Sequence, residues 1–205
     1  MPPFPPISRN NPLILASASP RRRELLTQVG LPFRVIPGDV DESEITGEPA
    51  RISLTLAEKK AARVYPLTGP SWILGADTLV VVKNRILGKP RDQGEAREML
   101  ELLGGVEHSV VTGFCLLNPE GEMSHSQAVT TTVRFKPISR KELDAYIITG
   151  EPFGKAGAYA IQGIGAFMVE SISGSYSNVV GLPLCAVIEA LILTGALRAF
   201  PIPFD

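Results

Sequence analysis

Three kinds of residue in this chain could do chemistry: clustered cations, carboxylates at the ends of apolar runs, and glycine-rich turns. The densest cluster is Ser17-Ala18-Ser19-Pro20-Arg21-Arg22-Arg23. An apolar run, Leu13-Ile14-Leu15-Ala16, stops at the serines, and a helical spacing of Leu25, Leu26 and Val29 follows. Ser19 suits an N-cap and Pro20 the first helical position. Arginine is the wrong charge there, because that helix end is already partly positive. Three arginines together suit an anion seated on the helix N-terminus, which makes the stretch a candidate phosphate cradle. A surface helix with its arginines in water has the same sequence.

Asp77 closes the apolar run Trp72-Ile73-Leu74-Gly75-Ala76 and precedes Thr78. A carboxylate at the end of a buried strand is costly without a task, and strand ends are where ligands sit in α/β folds. A turn or helix cap is the other reading. Asp39, Asp41, Glu42 and Glu44 form an acidic loop, read either as a solvated turn or as a partner for Asp77 around a divalent cation. Lys59 and Lys60 lie on an amphipathic stretch where lysines usually face solvent. Lys89 sits in a tight Leu87-Gly88-Lys89-Pro90 loop. Lys155 and Gln162 lie in Gly154-Lys155-Ala156-Gly157-Ala158-Tyr159-Ala160-Ile161-Gln162-Gly163, whose glycines permit close approach to a ligand or simply a flexible loop. No Ser–His or Cys–His pairing is evident. Cations for phosphate oxygens and a carboxylate for water or metal, with no covalent nucleophile, are the mixture phosphate chemistry needs.

These residues must be positioned by a chain of 205 residues, enough for one large domain or two small lobes. A net charge of -1 argues against a duplex nucleic-acid binder, and 6% aromatic residues against a single-strand binder. Cys115 and Cys185 both sit in apolar runs and read as core residues, not a disulfide framework. Two histidines, His108 and His125, are too few for a histidine-rich metal site, so a metal here would be a hard cation on oxygen. Residues 1–11 read as a loose, proline-rich tail and 199–205 as a short C-terminal tail, around a single domain over 12–198. Leu182 to Leu197 is interrupted by Glu189 and is shorter than the roughly 20 residues a membrane span needs. A soluble, cytoplasmic protein is expected.

Strands are expected over 12–17, 33–36, 72–82, 86–87, 109–117, 127–135 and 166–171. Helices are expected over 20–29, 50–64, 92–103, 138–148 and 183 to about 198. Ser139 and Glu142 have capping-box spacing. Residues 173–181 read as a Gly/Ser loop. Strands and helices without strict alternation imply a mixed sheet, α/β or α+β.

Taken together, Ser17-Ala18-Ser19-Pro20-Arg21-Arg22, Gly75-Ala76-Asp77-Thr78, Leu87-Gly88-Lys89-Pro90, Gly150-Glu151-Pro152, Lys155-Ala156-Gly157-Ala158-Tyr159, Ile161-Gln162-Gly163 and Val179-Val180-Gly181-Leu182-Pro183 resemble the Maf family of nucleoside triphosphate pyrophosphatases. The match runs in order over about residues 12–198 and is similar to the branch that hydrolyses dTTP and UTP. The resemblance implies a strongly twisted mixed sheet flanked by helices, in two lobes with a central cleft, related to inosine-triphosphate pyrophosphatases. It implies Asp77 as the proton acceptor that activates water, and Arg21, Thr78 and Gln162 in substrate selection. It implies Ser17, Arg22, Lys60, Lys89 and Lys155 on the substrate, Glu42 with Asp77 on the metal, and Mg²⁺ or Mn²⁺ as cofactor. The implied partner is a nucleoside triphosphate, without nucleic acid or membrane and with a homodimer left open. The implied role is house-cleaning of nucleotide pools and control of cell division. A nucleotide-binding regulator of septum formation with little catalysis, or an enzyme for another modified nucleotide, are the alternatives. Gly154 stands where the family usually has an acidic residue, and Ala160 where it usually has glycine.

Overall fold

In a computed structural model the chain forms two compact units, and residues 4–41 and 47–202 are described. The first unit comprises Met1–Asp77, Thr112–Val129 and Gly181–Asp205, and the second Thr78–Val111 and Thr130–Val180. Mixed pairing is the rule among the described strands. β1 (Leu13–Leu15) pairs in parallel with β2 (Phe33–Val35) and with β3 (Ile73–Val82). β3 pairs antiparallel with β4 (Arg85–Leu87). β6 (Met123–Phe135) pairs antiparallel with β7 (Val169–Ser173). With β5 (Glu107–Leu117), the order is β2-β1-β3-β5-β6-β7, and β4 attaches to β3. The chain is mixed α/β, as its pattern implies.

In the first unit, α1 (Pro20–Gln28) follows β1 and α2 (Pro49–Val64) precedes β3. α2 buries Ala57, Ala61 and Val64 in a cluster with Ile14, Ala16, Ile73, Cys115 and Leu117. The helix can lie this close because two strand positions lack a Cβ. A Cβ on Gly75 would stand 2.1 Å from the Ala57 carbonyl oxygen, and one on Gly113 2.4 Å from the Ser53 carbonyl carbon. The proline-rich segment, expected to be loose, is fastened from Phe4 onward. Phe4 packs edge-on against Trp72 at 6.0 Å, the Trp72 indole donates to the Pro5 carbonyl, and the Ile7 amide donates to Ala196.

In the second unit, Lys83 and Asn84 turn the β3–β4 hairpin at positive φ, as a two-residue hairpin loop requires. α3 (Gln93–Leu103) starts at Asp92, whose side chain accepts from the Glu95 amide. α4 (Arg140–Ile148) carries the capping box that Ser139 and Glu142 announced. Two expectations fail here. Residues 164–168 form a 3-10 turn, so the last strand starts at Val169 and not at 166. The Gly/Ser stretch holds α5 (Tyr176–Val180), which Asn178 anchors by donating to Val110 O and Thr131 Oγ1.

The last helix, α6 (Leu184–Leu193), belongs to the first unit and stops earlier than expected, because Gly195 at φ +77 turns the chain out of the helix, its amide bonding Ile192 O. Cys115 is buried, but Cys185 is exposed. α6 buries Val187, Ala190 and Leu191, and Cys185 lies on its other face, beside Glu189. Among the described residues, no helix is long and apolar enough to cross a membrane.

Candidate active site

Strand order 2-1-3 means that the chain leaves β1 to one side for β2 and returns on the other side for β3. The carboxyl end of β1, and the part of β3 just beyond its pairing with β1, therefore flank a topological switch point, the usual ligand position in such sheets. Leu15 pairs with Leu74, so Ser17 and Asp77 both follow just beyond that register.

Asp77 is 6% exposed and lies in the middle of β3, neither at a cap nor at the strand end expected from the sequence, because β3 runs on to Val82 as the hairpin arm that pairs β4. Its Oδ1 accepts from Lys60 Nζ at 2.5 Å. A lone carboxylate so deep would be costly, and the ammonium from α2 compensates it. The backbone contact at Gly75 seats α2 at Ala57, and Lys60 lies three residues on, one turn along the same helix. Lys59 is exposed, so of two adjacent lysines only Lys60 serves the carboxylate.

Ser17 and Arg22 also come together. The Arg22 guanidinium is buried, donating from Nε to Gly181 O and from Nη1 to Ser17 Oγ, both at 2.8 Å. Ser17 Oγ also accepts from the Ser19 amide at 3.3 Å. Arg22 thus fixes the serine turn to the Gly181 segment. Arg21 is half-buried and Arg23 exposed. Ser19 occupies the N-cap of α1 without a side-chain cap bond, with Pro20 behind it. The turn is shaped by a buried cation, and the first-turn amides of α1 follow directly from it.

Thr78, Lys89, Lys155 and Gln162 belong to the second unit. Thr78 is half-buried, and Lys89 and Gln162 are exposed. Lys155 donates to the carbonyl of Glu151 at 2.5 Å, so its ammonium braces its own loop. Gly154 adopts φ +73, a left-handed conformation that an acidic residue would fill only under strain, while its surroundings are open. Glu42 lies outside the described residues. Among the described residues, no three His, Cys, Asp or Glu side chains gather as a metal nest. Magnesium is commonly held by one or two carboxylates plus phosphate oxygens, and Asp77 is an oxygen donor of that kind.

Two features escaped the sequence reading. Glu151 carries a carboxyl that burial would push up. The amides of Gly165 and Ile164, the Tyr146 hydroxyl and the Lys155 charge outweigh burial and hold it below the usual carboxylate range. His108, 3% exposed, meets the Tyr159 hydroxyl through Nε2 at 2.9 Å and packs edge-on against Phe135. Its Nδ1 has no partner among the described residues. Burial lowers the His108 pKa from 6.5 to about 4. The neutral ring is the folded form, so its stabilising contribution is whole above pH 6.5 and is lost as pH falls towards 4. That contribution is about 3 kcal/mol. Unfolding free energies from denaturant titrations of the wild type should fall between pH 7 and pH 4 by that much more than for His108→Gln. Parallel curves for the two proteins would refute the burial account.

The family model described as Maf-like protein matches residues 12–193. The dTTP/UTP pyrophosphatase of Geotalea uraniireducens is 52% identical over 91% of this chain and 96% of its own length. That of Syntrophotalea carbinolica is 48% identical over 95% of this chain and 90% of its own. That of Geobacter sulfurreducens is 50% identical over 90% and 97%. A solved dITP/XTP pyrophosphatase from Mycobacterium abscessus is 16% identical with a TM-score of 0.40, over 67% of this chain and 94% of that one, a likeness too slight to build on. A family match over residues 12–193 and relatives about half identical over nine-tenths of the chain or more show that this chain belongs to the Maf family.

Proposed function

We propose that this chain hydrolyses nucleoside triphosphates, dTTP and UTP foremost, to the monophosphate and pyrophosphate. The observation that carries this reading is the Lys60–Asp77 pair at the β1/β3 switch point, beside the Ser17–Arg22 turn. Relatives about half identical bear the name of that activity. Water attacks the α-phosphorus, its proton passes to Asp77, and the bond from the α-phosphorus to the bridging oxygen breaks with pyrophosphate leaving. Arg21 and the first-turn amides of α1 receive phosphate oxygens, and Lys89 and Lys155 add positive charge. Ser17 and Arg22 hold the shape of that turn. Thr78 and Gln162 select the base. Asp77, with Glu42 as second ligand, would hold a divalent cation, Mg²⁺ or Mn²⁺, which neutralises phosphate charge when bound. In this reading the chain works on free nucleotides in the cytoplasm, as monomer or homodimer, without nucleic acid or membrane.

A panel of dTTP, UTP, dCTP, CTP, ATP and GTP, assayed for pyrophosphate with Mg²⁺ and with a chelator, tests the reading. Turnover of dTTP and UTP well above the others, abolished by the chelator, is expected. Tight nucleotide binding without pyrophosphate release would sink it and favour a regulator.

A further inference from the structure

The turn that carries Gln162 is pinned on both flanks to one hydroxyl–carboxylate pair. α4 ends at Ile148, and the chain reverses so that the Glu151 amide donates to Thr149 Oγ1 at 3.1 Å. Glu151 Oε2 then accepts from the Tyr146 hydroxyl and from the Gly165 amide, both at 2.8 Å. Its Oε1 accepts from the Ile164 amide at 2.9 Å. The Tyr146 hydroxyl itself accepts from the Ala160 amide at 3.3 Å. Between these anchors the Gly163 amide bonds Ala160 O at 3.2 Å and closes a four-residue turn. Ile161 and Gln162 are its central residues. Ile161 is 7% exposed and buries inward, while Gln162 faces outward.

The fit beneath the turn leaves no slack. A Cβ on Gly163 would stand 2.1 Å from Glu151 Oε1. Lys155 ties the main chain of Glu151 from the other side. Hydrogen bonds to a charged acceptor are about twice as strong as neutral ones. A carboxylate gathering two amides and a hydroxyl makes the turn a single preorganised conformer, and a binding side chain on such a turn spends little entropy on docking.

We propose that Glu151 is a positioning residue for substrate selection: its carboxylate fixes the Ala160–Gly163 turn so that Gln162 is presented to the base in one orientation. This rests on the assignment of Gln162 to base selection made above. Glu151 itself makes no contact with substrate in this account. A merely structural Glu151 would, on removal, lower activity on every nucleotide alike. A positioning Glu151 changes the ratio between nucleotides.

The test compares the wild type, Glu151→Gln, Tyr146→Phe and Gln162→Ala on dTTP and dCTP, with thermal melting alongside. Gln keeps the length of Glu151 but turns an NH₂ towards a backbone amide. Glu151→Gln should lower the dTTP-over-dCTP ratio of kcat/KM about tenfold, chiefly through KM. Tyr146→Phe, which removes one hydroxyl, should move the ratio the same way and keeps the question open to decision if Glu151→Gln does not fold. The double variant Glu151→Gln/Gln162→Ala should discriminate no worse than Gln162→Ala alone, since both act through one side chain. A ratio unchanged in Glu151→Gln and Tyr146→Phe, while Gln162→Ala shifts it, overturns the positioning role alone. A ratio unchanged in Gln162→Ala, or a wild type without pyrophosphate release, overturns the underlying reading and this inference with it.

Discussion

Asp77→Asn will slow pyrophosphate release from dTTP by about 10²–10⁴-fold, the usual weight of a general base. Asparagine keeps the shape of Asp77 and still offers Lys60 an oxygen, but it cannot take a proton from water. The same change removes the charge opposite an ammonium whose side chain is only 12% exposed. Breaking such a pair costs up to about 3–5 kcal/mol, so a lower melting temperature should accompany the lost turnover. The two effects separate in Asp77→Asn/Lys60→Met, which removes both charges. Stability should recover in part and turnover should not. A folded Asp77→Asn protein that turns over dTTP within tenfold of wild type would remove Asp77 from the chemistry.

Gly75→Ala should cost about 3 kcal/mol of stability, the upper range for overpacking. The new methyl would meet the Ala57 carbonyl, and that atom is backbone in the middle of α2, so no side-chain rotation relieves the contact. The helix must lift, and Lys60 moves with it away from Asp77. Turnover should therefore fall even at temperatures where the variant remains folded. Gly69→Ala is the control, because nothing lies within 4 Å of a Cβ there. Urea midpoints measure both, and equal values for the two variants would show that α2 is not seated at Gly75.

Local signals made most elements legible. An apolar run ending at serines marked β1, and Ser139 with Glu142 marked α4, because each signal lies within a few residues of its effect. The last helix is expected to run longer than it does, since its apolar composition continues past Thr194 while Gly195 takes a left-handed φ of +77 that ends it. α5 was illegible because Asn178 is anchored to Val110 and Thr131, which are remote in sequence. Within the site, Asp77 stood out, but which of Lys59 and Lys60 serves it depends on helix rotation. The same holds for Arg22, buried between two neighbours that are not. Glu151 gave no sign beyond its place in a motif, as its amide partners are 13 and 14 residues away.

The two cysteines differ in a way that gives the chain a chemical handle. Burial pushes the Cys115 thiol up to about 12 and walls it from solvent. Cys185 is raised as well, by Glu189, but it stands on the open face of α6. Thiolate attack requires access as well as ionisation. A maleimide dye added to the folded protein therefore labels one defined position, and labelling of Cys115 becomes a clock for the opening of the core around α2.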